Sequence, residues 1–429
     1  MRKRLLVLHA VSPLGPDEAE RLVRTLDVEI AFVALTSQIT GGPEALDRLA
    51  ALGPVVGVTE AAELVPAALE FAAANRVDGV LASSELVLAE GAAVAGALGL
   101  PHHPVDAVPA LLRKDVQRER LRAAGVPTPA WATLRGQDDI AAALRAVPLP
   151  AVLKPVRGMG SMTTFAVGTR AELEDCLREG QRAYSANPPQ PGEAPVFQLE
   201  EYLGGDHPHP ADPRLDDMFS VECLMFEGEI HHVVVGAKPP MAPPFRDAGH
   251  IVPSALPAEL HGAVVEMAER AIRAVGGHHG AMHVEVKLTA DGPRVIEVNG
   301  RFGFALPLAL QPLGYDYLTD AARVALGERP QLPARLTGYS MVLRRYAPSD
   351  AREVTAMSGL RDAARMDGVL YLVPLLAVGQ RPDPLRPAES VAYLLGARAR
   401  ELQTVLDLAD RVADRVHIEY RTGNAAVGA

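Results

Sequence analysis

The sequence has few cysteines, few aromatic residues and no long apolar run. Cys176 and Cys223 are its two cysteines, and aromatic residues make up 4% of the 429 residues. Two cysteines cannot build a disulfide framework or a cysteine-type zinc site, and they fit a reducing cytosol. No stretch approaches the ~18 apolar residues of a membrane span, and the apolar run after Arg4 is too short for a secretory signal. We therefore expect a cytoplasmic protein without a membrane anchor.

The chain is also short of positive charge. It has 53 acidic and 42 basic residues, a net charge of −11. This balance argues against a general nucleic-acid binder, which would show a basic surface. An apolar content of 48% supports a large core, and 429 residues suggest about three domains.

The first 110 residues alternate short apolar runs with helical patterns. The apolar runs are LLVLHA, EIAFVAL and DGVLAS, and the helical patterns cover residues 16–26, 60–74 and 87–98. This alternation predicts strands joined by helices in a parallel sheet. The turn after the first strand, AVSPLGP, lacks a G-x-G-x-x-G pattern, so no dinucleotide fingerprint is present.

Residues 280–304 predict a β-hairpin with an acidic face. In the first strand, polar His283, Glu285 and Lys287 alternate with apolar residues. A three-residue turn over 290–292, with its glycine in the left-handed region, would pair Glu285 with Glu297. The same register pairs His283 with Asn299, and Ile296 and Val298 are then expected on the apolar face.

Two carboxylates facing each other across a strand pair destabilise a sheet unless a cation lies between them. Carboxylate and amide oxygens suit Mg²⁺, which usually takes one or two carboxylates and leaves positions for water and phosphate. Arg301 follows and could hold an anion in a bidentate manner. On this stretch alone, an exposed hairpin with solvated acids is an equal alternative.

Two other stretches have residues suited to phosphate binding. Residues 150–167 predict a strand ending near Lys154, a glycine loop over 158–161 and a second strand. The loop is not a Walker A loop, because the lysine precedes the glycines and a strand follows; an ordinary glycine turn is the alternative. Residues 113–131 begin with a basic helix in which Lys114, Arg118 and Arg122 share a face. A solvated charged face is the alternative there.

The remaining patterns predict structure more than chemistry. FQLEEYLGGD reads as a strand entering a turn, and a hairpin through Glu227-Gly228 ends near Lys238. A helix is predicted over 257–275 and another over 390–416, with VHIEYR as a final strand. His207 and His209 lie among prolines without ligand spacing, so a loop is expected rather than a metal site.

Taken together, these stretches resemble the ATP-grasp superfamily, and within it the carboxylate–amine ligase branch that includes L-amino-acid ligases. The resemblance spans residues 113–304 and rests on five motifs in the family's order. It implies an α/β protein with an N-terminal Rossmann-like parallel-sheet domain (1–110) and a two-part α+β ATP-grasp core (111–195 and 196–338). A small α+β lid-like domain (339–429) would follow.

The resemblance also implies roles for individual residues. Those on ATP would be Lys114, Lys154, Gly158, Gly160, Ser161, Glu200, Glu201, Tyr202, Leu203 and Asp206, with Asp217 competing for the ribose position. Residues 200–203 would form the hinge that binds the adenine base. The Mg²⁺ ligands would be Glu285, Glu297 and Asn299, and the catalytic set Arg301, His250 and Lys238. The chain departs from the usual E-x-N-P-R-x-G-G text, since it has Gly300 for the proline and ends in Phe302-Gly303-Phe304.

The implied function is an ATP-dependent ligase that uses one or two Mg²⁺ ions, or Mn²⁺. It would join a carboxylate to an amine through an acyl phosphate, release ADP and phosphate, and use an amino acid as a substrate. A homodimer is the expected assembly. Two alternatives stay open: carboxylation or nucleotide-biosynthesis chemistry on the same scaffold, and a non-catalytic nucleotide-binding regulatory protein.

Overall fold

The computed structural model of the chain describes residues 2–39, 41–186, 188, 192–204, 209–243, 245–383 and 386–422. The chain forms two compact units. The first comprises Met1–Thr128, Ser220–Val235 and Ala258–Arg335, and the second comprises Pro129–Phe219, Gly236–Pro257 and Leu336–Ala429. Within the described residues, every helix is too short or too polar to cross a lipid bilayer.

The first unit begins with a parallel sheet between helices. Its strand order is β3-β2-β1-β4, and each neighbouring pair is parallel. The predicted parallel sheet is confirmed, with β3 and α2 as additional elements. The elements are β1 (Arg4–His9), α1 (Pro16–Leu26), β2 (Glu29–Leu35), α2 (Gly42–Ala50), β3 (Val55–Val58), α3 (Leu64–Ala74), β4 (Gly79–Ala82), α4 (Leu88–Leu98), α5 (Val108–Leu112) and α6 (Lys114–Ala123).

An antiparallel sheet opens the second unit. Its order is β5-β8-β6-β7, and its interior residues, such as Leu153 and Leu199, are fully buried. The predicted strand, loop and strand over 150–167 is confirmed as an antiparallel pair. The elements are β5 (Trp131–Leu134), α7 (Ile140–Ala146), β6 (Ala151–Pro155), β7 (Phe165–Val167), α8 (Arg170–Ala186) and β8 (Phe197–Glu201).

A hairpin and a long amphipathic helix come next along the chain. The boundaries between the two units fall inside the hairpin strands, β9 and β10. In the first unit the strand order is β13-β12-β9-β10. The elements are β9 (Met218–Phe226), β10 (Glu229–Ala237), β11 (Gly249–Val252), α9 (Ala258–Val275), β12 (Gly280–Thr289), β13 (Gly292–Asn299), α10 (Leu306–Leu310) and α11 (Tyr317–Ala325).

The register of the β12–β13 hairpin confirms one prediction and corrects another. Glu285 pairs with Glu297 as predicted, and Gly292 has the expected positive φ of 98°. Next to the turn, however, Thr289 pairs with Gly292, whereas the predicted register would pair Thr289 with Pro293. A β-bulge at Ile296 absorbs the difference. The bulge also corrects the predicted apolar face, because the fully buried residues of β13 are Val295 and Val298.

The last part of the chain belongs to the second unit. The strand order there is β11-β14-β17-β16, and β15 pairs with β18. The predicted helix over 390–416 is wrong in its first half, which is a buried strand between two neighbours. The elements are β14 (Tyr339–Tyr346), β15 (Ala351–Ser358), α12 (Leu360–Ala363), β16 (Val369–Pro374), β17 (Val391–Ala399), α13 (Leu402–Arg415) and β18 (His417–Thr422).

Candidate active site

The first residue of α6 lies against the acidic face of the hairpin. The Nζ atom of Lys114 is 2.9 Å from Oε1 of Glu297, and Lys114 is 8% exposed. Gln117, one turn later, donates to the carbonyl of Val298 at 2.6 Å and accepts from its amide at 2.9 Å. Two hydrogen bonds to one residue hold the helix in register with β13. Lys114 and Glu297, both predicted site residues, are therefore brought together.

The β-bulge has a specific partner. Arg118 donates from Nη2 to the carbonyl of Ile296, and its side chain is 1% exposed. The solvated-face alternative for the basic helix is therefore wrong at this position. A buried guanidinium satisfies the carbonyl that the bulge removes from the ladder.

Asn299 and His283 face each other at the end of the hairpin, as predicted. The two ring nitrogens of His283 point to two carboxylates. Nδ1 contacts Glu222, and Nε2 lies 3.5 Å from Oε1 of Glu285. Burial opposes a charge on His283, but the Glu222 carboxylate outweighs it and raises the pKa of His283 to about 9. The sequence patterns did not mark Glu222, which is 61 residues away along the chain.

Arg301 forms an ion pair with a residue from the N-terminal part of the chain. Its Nη2 atom is 3.2 Å from Oε2 of Glu85, which is 7% exposed. Glu85 begins a short helical turn before α4, and the Oγ of Ser84 caps that turn by accepting from Leu86 N. No local signal could have found Glu85, because it is an ordinary acid at a helix start.

A cavity of about 60 Å³ lies beside Arg301 in the first unit. Leu88, Ala92 and Phe302 supply apolar walls, and His103 and His279 line another part. Both histidine rings make hydrogen bonds. His279 Nε2 lies 2.8 Å from the carbonyl oxygen of Val324, and His103 Nδ1 accepts from the backbone amide of His279 at 3.4 Å. These histidines serve as packed polar walls.

In the second unit, the predicted phosphate-binding lysine of β6 is paired with an acid of β8. Lys154 Nζ is 2.7 Å from Oε2 of Glu200, and both residues are buried. Gln198 donates to the other oxygen of Glu200 at 2.6 Å. Two predicted ATP-site residues thus contact each other directly.

The glycine loop after Lys154 has an unusual backbone. Gly160 has φ of 63°, and the non-glycine residues Ser161 and Thr163 have φ of 59° and 50°. Left-handed conformations at non-glycine residues are costly and occur often at functional loops. Thr163 Oγ1 donates to the carbonyl of Met162 at 2.8 Å, which supports the turn locally.

The predicted adenine hinge follows β8. The carboxylate of Glu201 accepts from the Ala130 amide at 3.1 Å, and the Tyr202 amide donates to the Pro150 carbonyl at 3.3 Å. Tyr202 is 44% exposed, whereas Leu203 is buried. Asp206 lies outside the described residues. Asp217, its competitor for the ribose position, is 3% exposed.

Lys238 and His250 both lie close to the carboxylate of Asp247. The Asp247 carboxylate lies 3.9 Å from Lys238 Nζ, 3.5 Å from His250 Nε2 and 3.2 Å from Arg344 Nη1. Burial alone would raise the pKa of Asp247, but these three basic groups hold it well below its usual range. Gly249 is required between Asp247 and His250, because its φ is 130° and a Cβ there would lie 2.1 Å from the Val342 carbonyl.

The donor set of the hairpin consists of oxygen atoms only. Glu285 and Glu297 are carboxylates and Asn299 is an amide; among the described residues no three His, Cys, Asp or Glu side chains converge as a metal site. That set excludes a transition-metal site of the histidine–cysteine type and fits Mg²⁺, which rarely takes more than two carboxylates from the protein. The fold and these clusters are similar to those of ATP-grasp proteins.

The comparisons with known proteins agree with this class. Residues 147–305 match the model of the ATP-grasp domain, so the chain carries such a domain and the resemblance seen in the sequence is confirmed. The chain is similar in fold to the crystal structure of L-amino acid ligase from Bacillus licheniformis. The TM-score is 0.80 at 20% identity, over 98% of this chain and 99% of that one.

Two relatives are similar in sequence. Carnosine synthase 1 of Gallus gallus is 30% identical over 273 residues, 58% of this chain and 28% of the relative. Alanine–anticapsin ligase of Bacillus subtilis (strain 168) is 29% identical over 245 residues, 56% of this chain and 52% of the relative. This chain therefore spans only part of the length of either relative.

Proposed function

We propose that the protein is an ATP- and Mg²⁺-dependent carboxylate–amine ligase that forms an amide or peptide bond through an acyl phosphate. The observation that carries this proposal is the cross-strand pair of Glu285 and Glu297 beside the buried Lys114. Opposed carboxylates on neighbouring strands are unfavourable without a cation, and a structural ion pair would need only one of them. The names of the similar proteins support the same reaction class.

Glu285, Glu297 and Asn299 would hold the metal, which would offset the negative charge of the ATP phosphates. Lys154 would contribute a fixed positive charge to the phosphates. The glycine loop over 158–161 would contribute backbone amides, and the positive φ of Gly160 and Ser161 turns the backbone within this loop. The hinge at Tyr202 and Leu203 would receive the base.

The ion pair between Arg301 and Glu85 supports an amino acid as a substrate. An amino acid presents a carboxylate and an ammonium group on one carbon, and a guanidinium next to a carboxylate matches both charges. The adjacent cavity of about 60 Å³ is well below the ~150 Å³ that holds a benzene ring. We propose that it receives a small side chain.

The reaction would proceed in two steps. A carboxylate oxygen of the substrate attacks the γ-phosphorus of ATP. The bond between the γ-phosphorus and the oxygen that bridges the β- and γ-phosphates breaks, and ADP leaves. The amine of the second substrate then attacks the acyl carbon, and phosphate leaves. Lys238 would stabilise the negative charge that develops, and His250 would accept the proton that the amine loses. Asp247, which contacts both, would orient them.

The test is ADP formation in Mg²⁺ with a panel of amino acids, alone and in pairs. We expect ADP only when an acid and an amine are both present, with small side chains favoured over aromatic ones. Glu297→Ala should abolish turnover while Glu328→Ala, on an exposed ion pair with Lys3, should not. Tight ATP binding without turnover across the panel would instead favour the regulatory alternative.

We also propose a cytoplasmic homodimer. Both described cysteines are free thiols, as a reducing compartment requires. Light scattering coupled to gel filtration would measure the dimer directly. The four-part domain division at residues 110, 195 and 338 stays a prediction.

A further inference from the structure

A buried acid–histidine pair lies behind the predicted metal ligands. Glu222 is in the middle of β9, all nine residues of which are buried, and its own exposure is 0%. His283 is 4% exposed and contacts Glu222 through Nδ1. Burying a carboxylate against a histidine ring removes both polar groups from water, and an apolar pair of similar size would often be more stable. The pair therefore calls for an explanation other than stability.

The pair is connected to two parts of the proposed site. On one side, His283 Nε2 lies 3.5 Å from Oε1 of Glu285, so the two ring nitrogens of His283 face two different carboxylates. On the other side, the amide of Gly303 donates to Glu222 Oε2 at 2.9 Å. Gly303 is two residues beyond Arg301.

The contact at Gly303 leaves no space for a side chain. A Cβ there would lie 2.8 Å from His283 Nδ1 and 3.0 Å from Glu222 Oε1. The segment that carries Arg301 can therefore approach the pair only through a glycine backbone. The buried carboxylate of Glu222 thus contacts both β12, which carries the proposed metal ligand Glu285, and the segment that follows Arg301.

We propose that Glu222 and His283 are positioning residues, which fix the carboxylate of Glu285 toward the metal and the backbone that follows Arg301. The inference rests on the proposed function, since it takes Glu285 as a metal ligand. Residues that hold a ligand from behind set its orientation, and losing one typically lowers metal affinity about 10- to 100-fold. Neither residue needs to touch the substrate.

The experiment compares Glu222→Gln with a matched control. Glutamine keeps the shape and an acceptor for the Gly303 amide but removes the charge that holds His283. The control is Glu269→Gln, which acts on another histidine–carboxylate pair of the same unit: His232 Nε2 is 2.7 Å from Glu269. The measurement is Mn²⁺ binding with excess ADP by water-proton relaxation, together with ADP binding without metal.

We expect Glu222→Gln to raise the Kd for Mn²⁺ about tenfold or more, with ADP binding in the absence of metal unchanged. Glu269→Gln should leave both unchanged. If Glu222→Gln does not fold, His283→Gln carries the same test, because it removes the ring that connects Glu222 to Glu285.

Wild-type Mn²⁺ affinity in a folded Glu222→Gln or His283→Gln protein would overturn the inference and leave the proposed function standing. A wild-type protein that binds no Mn²⁺ in the presence of ADP would overturn the proposed function, and the inference with it. The two failures are therefore distinguishable.

Discussion

Replacing Glu297 by glutamine should reveal two effects of one carboxylate. Lys114 Nζ lies 2.9 Å from Glu297, and their side chains are 10% and 21% exposed. At that distance Coulomb attraction is about 1.4 kcal/mol with the dielectric of water and about 6 kcal/mol at an effective dielectric of 20. The cost of removing Lys114 from water offsets much of the larger of these two attraction energies. We expect the substitution to lower the free energy of unfolding by about 2 kcal/mol.

The assay is urea unfolding of Glu297→Gln, Lys114→Met and the double variant, which isolates the coupling between the two side chains. Glu328→Gln is the control. It breaks a lysine–glutamate pair of similar length, 2.8 Å, whose side chains are 42% and 43% exposed. An exposed pair of this kind should contribute only about 0.2–1 kcal/mol.

The second effect concerns the metal. With ADP present, Mg²⁺ should raise the melting temperature of the wild-type protein but not that of Glu297→Gln, because the variant lacks one of the two carboxylates that we propose as metal ligands. A coupling energy no larger than that of the exposed pair would refute the electrostatic argument. An unchanged response to Mg²⁺ would refute the placement of the metal.

Three other predictions concern different parts of the molecule. Asp247→Asn should lower kcat/KM about tenfold or more, since it removes a charged partner of Lys238 and His250; unchanged steady-state kinetics would contradict this. Gly249→Ala should lower the free energy of unfolding in urea by about 2 kcal/mol or more, because its φ is 130° and the added Cβ would meet the Val342 carbonyl. His103 is buried and neutral, and burial lowers its pKa from 6.5 to about 4. On acidification, His103 takes up a proton at a higher pH in the unfolded protein than in the folded protein. The contribution of His103 to the free energy of unfolding is therefore complete above pH 6.5 and is lost as the pH falls toward 4. Between pH 7.5 and pH 5 the loss is about 2 kcal/mol. A His103→Gln variant should lose correspondingly less stability over that range, and an identical pH dependence of both proteins would contradict the assignment.

Local sequence signals predicted which acidic residues of the hairpin face each other, but they did not predict its β-bulge. Alternation of polar and apolar residues depends only on the strand period, so the opposition of Glu285 and Glu297 could be read directly. The β-bulge at Ile296 could not be predicted from the sequence, because the carbonyl of Ile296 accepts from Arg118, which is 178 residues away. Bulges of this kind depend on a tertiary partner rather than on the local pattern.

The same limit explains the residues that no pattern marked. Glu85, Glu222 and Asp247 are ordinary acids in the sequence, and each gains its role from a contact. Arg301 is 216 residues from Glu85, and His283 is 61 residues from Glu222. The error in the first half of the helix predicted over 390–416 has the opposite cause, because the leucines, alanines and arginines of that half have high helix propensity. Pairing of β17 with β14 and β16 overrides that preference.

The cations of the proposed site share one property that bears on the order of binding. Each lies within 4 Å of a carboxylate. The pairs are Lys114–Glu297, Lys154–Glu200, Lys238–Asp247 and Arg301–Glu85. A buried cation that loses its counter-charge destabilises a fold by about 3–5 kcal/mol, so the folded chain must supply these acids itself.

An anionic ligand must therefore take each cation from a carboxylate, and this is favourable only if the carboxylate finds another partner. In the proposed function a divalent metal would be that partner for Glu297, and the ammonium group of an amino acid would be that partner for Glu85. Lys114 would then be released toward phosphate only as the metal enters. Because linkage is reciprocal, ATP should raise the affinity for Mg²⁺ by the same factor by which Mg²⁺ raises the affinity for ATP. The Glu297–Lys114 pair would be the side-chain contact through which part of that coupling arises.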